Sequence, residues 1–374
     1  MGFLAGFRNE WARIARTRFD LLFLTVFPIA LLGSMAAMIW GGSLRDLPVV
    51  VVDRDGGPLA REITRNIAAT PTLHLIGQVE QPAEALALVR TERAVAYVVI
   101  PKGVGTRVAE GAPVEIFYEA VFLSTGSLAS TYLRLVTELT LAEQIPQDTG
   151  TTGAPLMVRA LPTVEVSLLG NPTLSFEWYL GMLIGPSVLH LLIAISCVGS
   201  LSALLQEKSF ATFVRTHRRP GAMLMGRLTV HAVIGVAWGV AWLLWMTLAR
   251  GYRVDGSAGV IVLGLGLLFV ATASIALLAM AVTREVGVSL SAMVVIAGSA
   301  LAYSGATLPL AGGLWFARNW SEVLPLTHFI LVQLDQMTGT APVASRGPVI
   351  ALLLYPLIAG GVGMLLVLRS GRTR

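Results

Sequence analysis

QEKSFATFVRTHRRP, Gln206 to Pro220, decides how this chain is read. It is a short, basic, helix-compatible segment between two long apolar runs, residues 178–205 and 224–248. Each run exceeds the about 20 apolar residues that cross a hydrocarbon core, so the segment is a tight loop on one membrane face. Short cationic loops stay inside, and Lys208, Arg215, Arg218 and Arg219 therefore put this face in the cytoplasm. Charge alone asks no more of the loop than to fix topology. The rest of the chain points to a second task, receiving work from a separate cytoplasmic protein.

Composition agrees with a membrane protein. Of 374 residues 55% are hydrophobic and 13% charged, where soluble domains carry about 25% charge. The net charge of +5 is unevenly spread. Residues 41–177 hold 10 basic and 15 acidic residues, leaving +10 on the remainder. That excess is a topology signal, not a nucleic-acid footprint. The single cysteine, Cys197, lies inside an apolar run and rules out a disulfide within the chain. No catalytic, metal-binding or cofactor-binding constellation is read.

Before the first span, Arg8, Arg13, Arg16 and Arg18 accompany Phe3, Phe7, Trp11 and Ile14. Spacings of 4, 4 and 3 put those four apolar residues on one helical face. The pattern predicts an amphipathic helix over 1–20, lying in the cytoplasmic interface. Residues 21–40 are the first span, kinked at Pro28, and are expected to be retained rather than cleaved as a signal.

Residues 41–177 change character. Strands at 47–52, 73–79, 94–100 and 114–118 alternate with helices at 58–69 and 82–93, and a long helix follows at 124–144. Pro58 and Pro82 open the first two helices, as proline does. Alternation of this kind predicts a small α/β domain, outside the cytoplasm because it follows a span that starts inside. The second half is nearly all membrane. Spans are predicted at 178–205, 224–248, 257–282, 286–308 and 348–368, with Trp315, Phe316 and Trp320 as interface aromatics. The expected fold is thus an α-helical integral membrane protein of six transmembrane helices plus an inserted extracytoplasmic α/β domain, both ends cytoplasmic.

Several absences carry weight at this level. The chain has no G-x-x-x-x-G-K-[ST], H-E-x-x-H or G-x-S-x-G pattern. No carboxylate sits in the middle of a predicted span, whereas ion-coupled carriers usually need one near the midplane. His190 and His231 are the central ionisable residues, each read as a packed, hydrogen-bonded histidine before a proton relay. A transporter's build without a nucleotide site or an ion-coupling group implies energy delivered by a docked partner. The alternatives are an ion-coupled secondary transporter, or a membrane scaffold presenting the outer domain.

Three regions resemble the permease subunit of a type-2 ABC exporter with a large periplasmic insert after its first helix. They are PVVVVDRD (Pro48 to Asp55) with AVAYVVIP (Ala94 to Pro101), Asn171-Pro172 with the run from Glu207-Lys208 through Thr212 to Pro220, and SGATLPL (Ser304 to Leu310) with LPLTHF (Leu324 to Phe329). The family's loop pattern is Glu-x-x-x-Gly-Thr followed by a proline; here Ala211 replaces the glycine. The resemblance implies that Glu207, Lys208, Phe210, Thr212, Phe213, Val214, Arg215, Arg218, Arg219 and Pro220 form a coupling helix seated in a separate ATPase. The apolar Phe210, Phe213 and Val214 would then dominate docking. It also implies re-entrant half-helices over 305–327, with Gly305, Thr307, Pro309, Pro325, Thr327 and His328 at the outer gate. Expected partners are an ABC ATPase dimer, a second permease copy or paralogue, a periplasmic membrane-fusion adaptor and membrane lipid. Expected cargo is a hydrophobic drug, a lipid or a lipid-linked glycan.

Overall fold

The computed structural model describes residues 2–40, 46–91, 93–104, 114–118, 123–148, 175–207, 209–307 and 314–371. Lys208 and Pro309 therefore lie outside the described residues. The chain divides into two compact units, Met1–Trp40 with Leu168–Arg374, and Gly41–Ser167.

The smaller unit is built on four strands, β1 (Leu47–Asp53), β2 (Leu73–Val79), β3 (Ala96–Ile100) and β4 (Glu115–Tyr118). Their order is β2-β1-β3-β4. Strand β1 runs parallel to β2 and β3, and β4 returns antiparallel to β3. The run Val49 to Val52 is apolar on both sides of the strand because both faces of the sheet are covered. Val49 and Val51 pack with Ile63 and Ile67 of α3 (Pro58–Ala69) and Leu133 of α5 (Leu123–Asp148). Val50 and Val52 pack with Ala85 and Val89 of α4 (Pro82–Arg90).

The larger unit is all helical. Helix α1 (Gly2–Arg16) and α2 (Arg18–Met38) precede the sheet unit. After it come α6 (Phe176–Glu207), the short α7 (Phe210–Thr216) and α8 (Pro220–Leu244), which continues as a π-helical turn, Trp245–Ala249. Then follow α9 (Ala258–Thr283), α10 (Val286–Ser299), α11 (Trp315–Val323) and α12 (Pro325–Met337). The last apolar stretch is α13 (Arg346–Tyr355), a π turn (Pro356–Gly360) and α14 (Gly361–Ser370). Among the described residues five helical stretches are long and apolar enough to cross a membrane: Arg18–Met38, Glu177–Leu205, Pro220–Ala249, Ala258–Thr283 and Pro342–Ser370.

Helix α10 is shorter than the sequence predicts. It ends at Ser299, and turns occupy residues 300–307, with Gly305 at φ +78°. Its 14 residues rise about 21 Å, short of the roughly 30 Å core. The Ser304 hydroxyl bonds back to the Leu301 carbonyl, and the Tyr179 hydroxyl donates to the Ala306 carbonyl.

Pro28 and Pro186, inside spans, each leave a carbonyl without its helical donor, four residues upstream. Both carbonyls are met from a neighbouring helix. For Pro28 of α2 the freed group is Leu24 O, which accepts the Trp238 indole N–H of α8 at 2.9 Å. For Pro186 of α6 it is Met182 O, which accepts the Gln333 amide of α12 at 2.6 Å. Trp242 adds a bond to Gly181 O at 2.8 Å, in the turn beside it. Each break in the helical ladder is thereby answered from a neighbouring helix, since hydrocarbon has no water to take the donor's place.

These ties make a sharp test by double substitution. Trp238→Phe is expected to cost about 1 kcal/mol in a detergent unfolding titration. Pro28→Ala restores the N–H that Leu24 O lacks, so the same change in that background costs clearly less. An undiminished cost in the Pro28→Ala background would show that the indole does not serve that carbonyl.

Candidate coupling surface and the charged clamps behind it

Helix α7 is a capped helix of seven residues, about two turns. Ser209 stands at its N-cap, where its hydroxyl accepts the Thr212 N–H. Phe210 and Phe213 point inward and are only 3% and 4% exposed, within the chain's own core. Phe213 also lies beside His217, the two rings tilted at 40° with centroids 4.6 Å apart. Val214 presses on the backbone at Gly371, and Arg215 Nε donates to the Gly371 carbonyl at 3.2 Å. The short helix is thus seated on the end of the last span.

What α7 and the following turn leave outward is polar. Thr212, Arg215, Thr216, Arg218 and Arg219 are exposed. Pro220 occupies the first turn of α8, where no N–H is needed. This corrects the expectation that Phe210 and Phe213 offer an apolar docking patch, because both rings are already spent on seating the helix. Glu207 closes α6, and its side chain is not among those described.

Helix α1 also departs from expectation. Gly6, Glu10 and Ile14 face the protein, while Phe3 and Trp11 are exposed and Phe7 is half-buried. The glycines allow the contact. A Cβ on Gly6 would sit 1.9 Å from Met223 O, and one on Gly226 would sit 2.0 Å from Phe3 O. Backbone meets backbone where α1 crosses α8. Ile14 is therefore part of the docked face and not of the aromatic stripe.

That crossing buries a carboxylate. Glu10, 1% exposed, accepts from Arg13 at 2.7 Å, Arg227 at 2.9 Å and His231 Nε2 at 3.0 Å. Ser196 Oγ meets His231 Nδ1 at 2.7 Å, and Arg227 holds the Ser200 hydroxyl and carbonyl at 2.8 Å each. The cluster joins α1, α6 and α8. Burial pushes the Glu10 carboxyl up. The hydrogen bonds from His231 and Arg13 and the charge of Arg227 outweigh it, holding the group well below the usual carboxylate range.

A second clamp closes the opposite end of α8. Glu177 accepts Arg250 through both oxygens, at 2.6 and 2.7 Å, and the Tyr252 hydroxyl at 2.7 Å. Arg250 reaches on to the Trp40 carbonyl and lies 4.4 Å from that ring's centroid. The bidentate geometry fixes where α2, α6 and α8 end relative to one another.

The proposed gate residues fall at this same end. Gly305 and Thr307 lie in the turn after α10, with Thr307 Oγ1 bonded to Leu301 O. Pro325 begins α12, and Leu324 serves both as the C-cap of α11 and the N-cap of α12. Thr327 and His328 are buried in α12, where Thr327 meets Ser321 and His328 Nε2 donates to Glu322 O. The chain is thus broken into two short helices by one proline. His231 is hydrogen-bonded as the sequence suggests, but His190 is not. It is fully buried in α6, and neither ring nitrogen has a partner among the described residues.

Residues 18–368 match the family described as ABC-2 family transporter protein. The chain belongs to that family. No curated protein and no solved structure matches it. As an ABC-2 permease it is a multi-pass membrane transport subunit whose family partner is an ABC ATPase. Sequence reasoning missed Glu10, Arg227, Trp238 and Gln333. A signal for the first was present in Gly6, Glu10 and Ile14 at helical spacing, one step round from the aromatic stripe.

Removing one member of a buried charge group strands the others. Glu10→Gln is expected to cost about 3 kcal/mol in a mixed-micelle unfolding titration, and to cost less when Arg227→Met accompanies it. Because the Glu10 carboxyl is depressed in the folded state, its contribution is present above the ordinary carboxylate pKa and is lost as pH falls. Wild type should lose stability on acidification through a component that the Gln variant lacks.

Proposed function

We propose that this ABC-2 permease is the passive membrane half of an ATP-driven exporter in the cell inner membrane. Two permeases, identical or paralogous, work with two cytoplasmic ATPases. The chain crosses the membrane six times with both ends inside, counting α10 and its following turns as the fifth crossing. The unit from Gly41 to Ser167 stands on the periplasmic side and is the part available to a membrane-fusion adaptor. The cargo is a hydrophobic or amphipathic molecule: a drug, a lipid or a lipid-linked glycan.

One observation carries this reading. The turn between α6 and α8 is a rigidly seated helix with a cationic, polar outer face. A helix free to rotate would absorb a push. This one is held by Phe210 and Phe213 beneath and by Gly371 beside it. Closure of an ATPase dimer against Thr212, Arg215, Arg218 and Arg219 would move α6, α8 and α14 together. A partner that binds the two states differently is what shifts such an equilibrium. The half-helices α11 and α12 at the far end are the parts positioned to open.

The test is charge reversal at the rim. Arg215→Glu with Arg218→Glu and Arg219→Glu should lower transport-coupled ATPase activity in the reconstituted complex about tenfold. Each solvated pair is worth about 1 kcal/mol or less, and three act together. Added salt should weaken the wild-type complex in the same direction. Phe210→Ala should instead lower the permease's own stability, by about 3 kcal/mol. Unchanged coupling in the triple variant would remove this face from the contact.

A further inference from the structure

A cavity of about 500 Å³ opens between α9, α10, α11, α12 and the last span. Its size falls in the range of about 300–1,000 Å³ typical of small-molecule sites. Leu278, Ile296 and Leu354 are among its apolar walls. The π turn Pro356–Gly360 lends Ile358 and Ala359 to the lining, and such wide turns often mark functional positions.

The polar groups gather on one wall and divide into two kinds. His328 Nε2 donates to Glu322 O, and the Tyr355 hydroxyl to Val323 O, each at 3.0 Å. Those two bonds cap the last carbonyls of α11 and use up both side-chain donors. The Glu322 carboxylate is different. It is exposed, it lines the cavity, and no Lys or Arg pairs with it among the described residues. It also sits in the last turn of α11, where the helix end is itself electronegative. Trp320 lines the same wall, its indole N–H turned to the Ser299 hydroxyl at 3.4 Å, so the lining holds two aromatic rings, those of Trp320 and Tyr355.

An apolar chamber with one unpaired negative charge and two aromatic rings selects for charge and for shape. A cation is attracted by the carboxylate and by the ring faces. An anionic head meets Glu322 and the helix end and is refused. A wholly polar ligand leaves the chamber walls uncovered. We infer that this cavity binds an amphiphile with an ammonium head and an apolar tail, the head at Glu322 and the tail against Leu278, Ile296 and Leu354. The inference concerns binding to this chain alone and stands independently of the ATPase partner.

The experiment uses the full chain in maltoside detergent, without nucleotide. Bromododecylamine is titrated while tryptophan fluorescence is quenched by its bromine, with bromododecanol as the uncharged control. Saturable quenching by the amine is expected. Glu322→Gln should raise its half-saturating concentration about tenfold, the size of one lost charge-assisted contact, and leave the alcohol unchanged. Trp320→Phe should remove the saturable part of the signal while amine binding persists in equilibrium dialysis. Phosphatidylethanolamine is then added as competitor. Displacement of the amine identifies a membrane lipid as the source, and a lack of displacement identifies a soluble cationic amphiphile. Equal affinity of wild type and Glu322→Gln for the amine, or equal affinity of amine and alcohol for wild type, would overturn the proposal.

Discussion

A backbone carbonyl released inside a bilayer has only another helix to turn to. Leu24 O and Met182 O are two such groups, each released by a proline and each held by one side chain from across the bundle. The consequence is structural specificity rather than bulk stability. Apolar helices slide past one another cheaply because lipid tails are as apolar as leucine. A carbonyl that needs one particular donor removes that freedom. Helix α2 is pinned to α8 and α6 to α12 at fixed heights, and the close backbone crossings then follow.

The two charged clamps act on the same helix from opposite ends. Arg227 and His231 hold the part of α8 near α7, while Arg250 holds the part near Glu177. Between them α8 behaves as a strut joined to α1, α2 and α6. Charged side chains in such positions are costly unless every lone pair is answered. Here Glu10 has three donors, and Glu177 has three hydrogen bonds from two residues. The arrangement ties the end of α8 beside α7 to the end beside Glu177 through one continuous helical stretch.

The large features were legible because they rest on period and length. Five apolar stretches were read as spans close to their observed limits, and Leu73–Val79 and Pro58–Ala69 stand where the pattern put them. The misreadings share a different cause. Phe210 and Phe213 lie one helical turn apart, and that spacing fits an inward stripe as well as an outward one. In α1 the aromatic stripe masks Glu10, whose donors on α8 lie more than 200 residues away. The turn after α10 is held by a hydrogen bond from Tyr179, 127 residues away, which no local pattern reports. Residues that answer distant carbonyls, such as Trp238 and Gln333, look like ordinary members of their own helices until the fold brings the partner near.

The separation between Glu10 and His231, 221 positions along the chain, bears on how the protein is made. Helix α1 is synthesised well before its dock: α2, the sheet unit, α6 and α7 all lie between it and α8 in the chain. Until α8 is made, Glu10 lacks its donors Arg227 and His231, and Gly6 lacks the Met223 backbone it packs against. The contact that buries Glu10 is therefore a long-range closure of the fold, made only once the middle of the chain is in place.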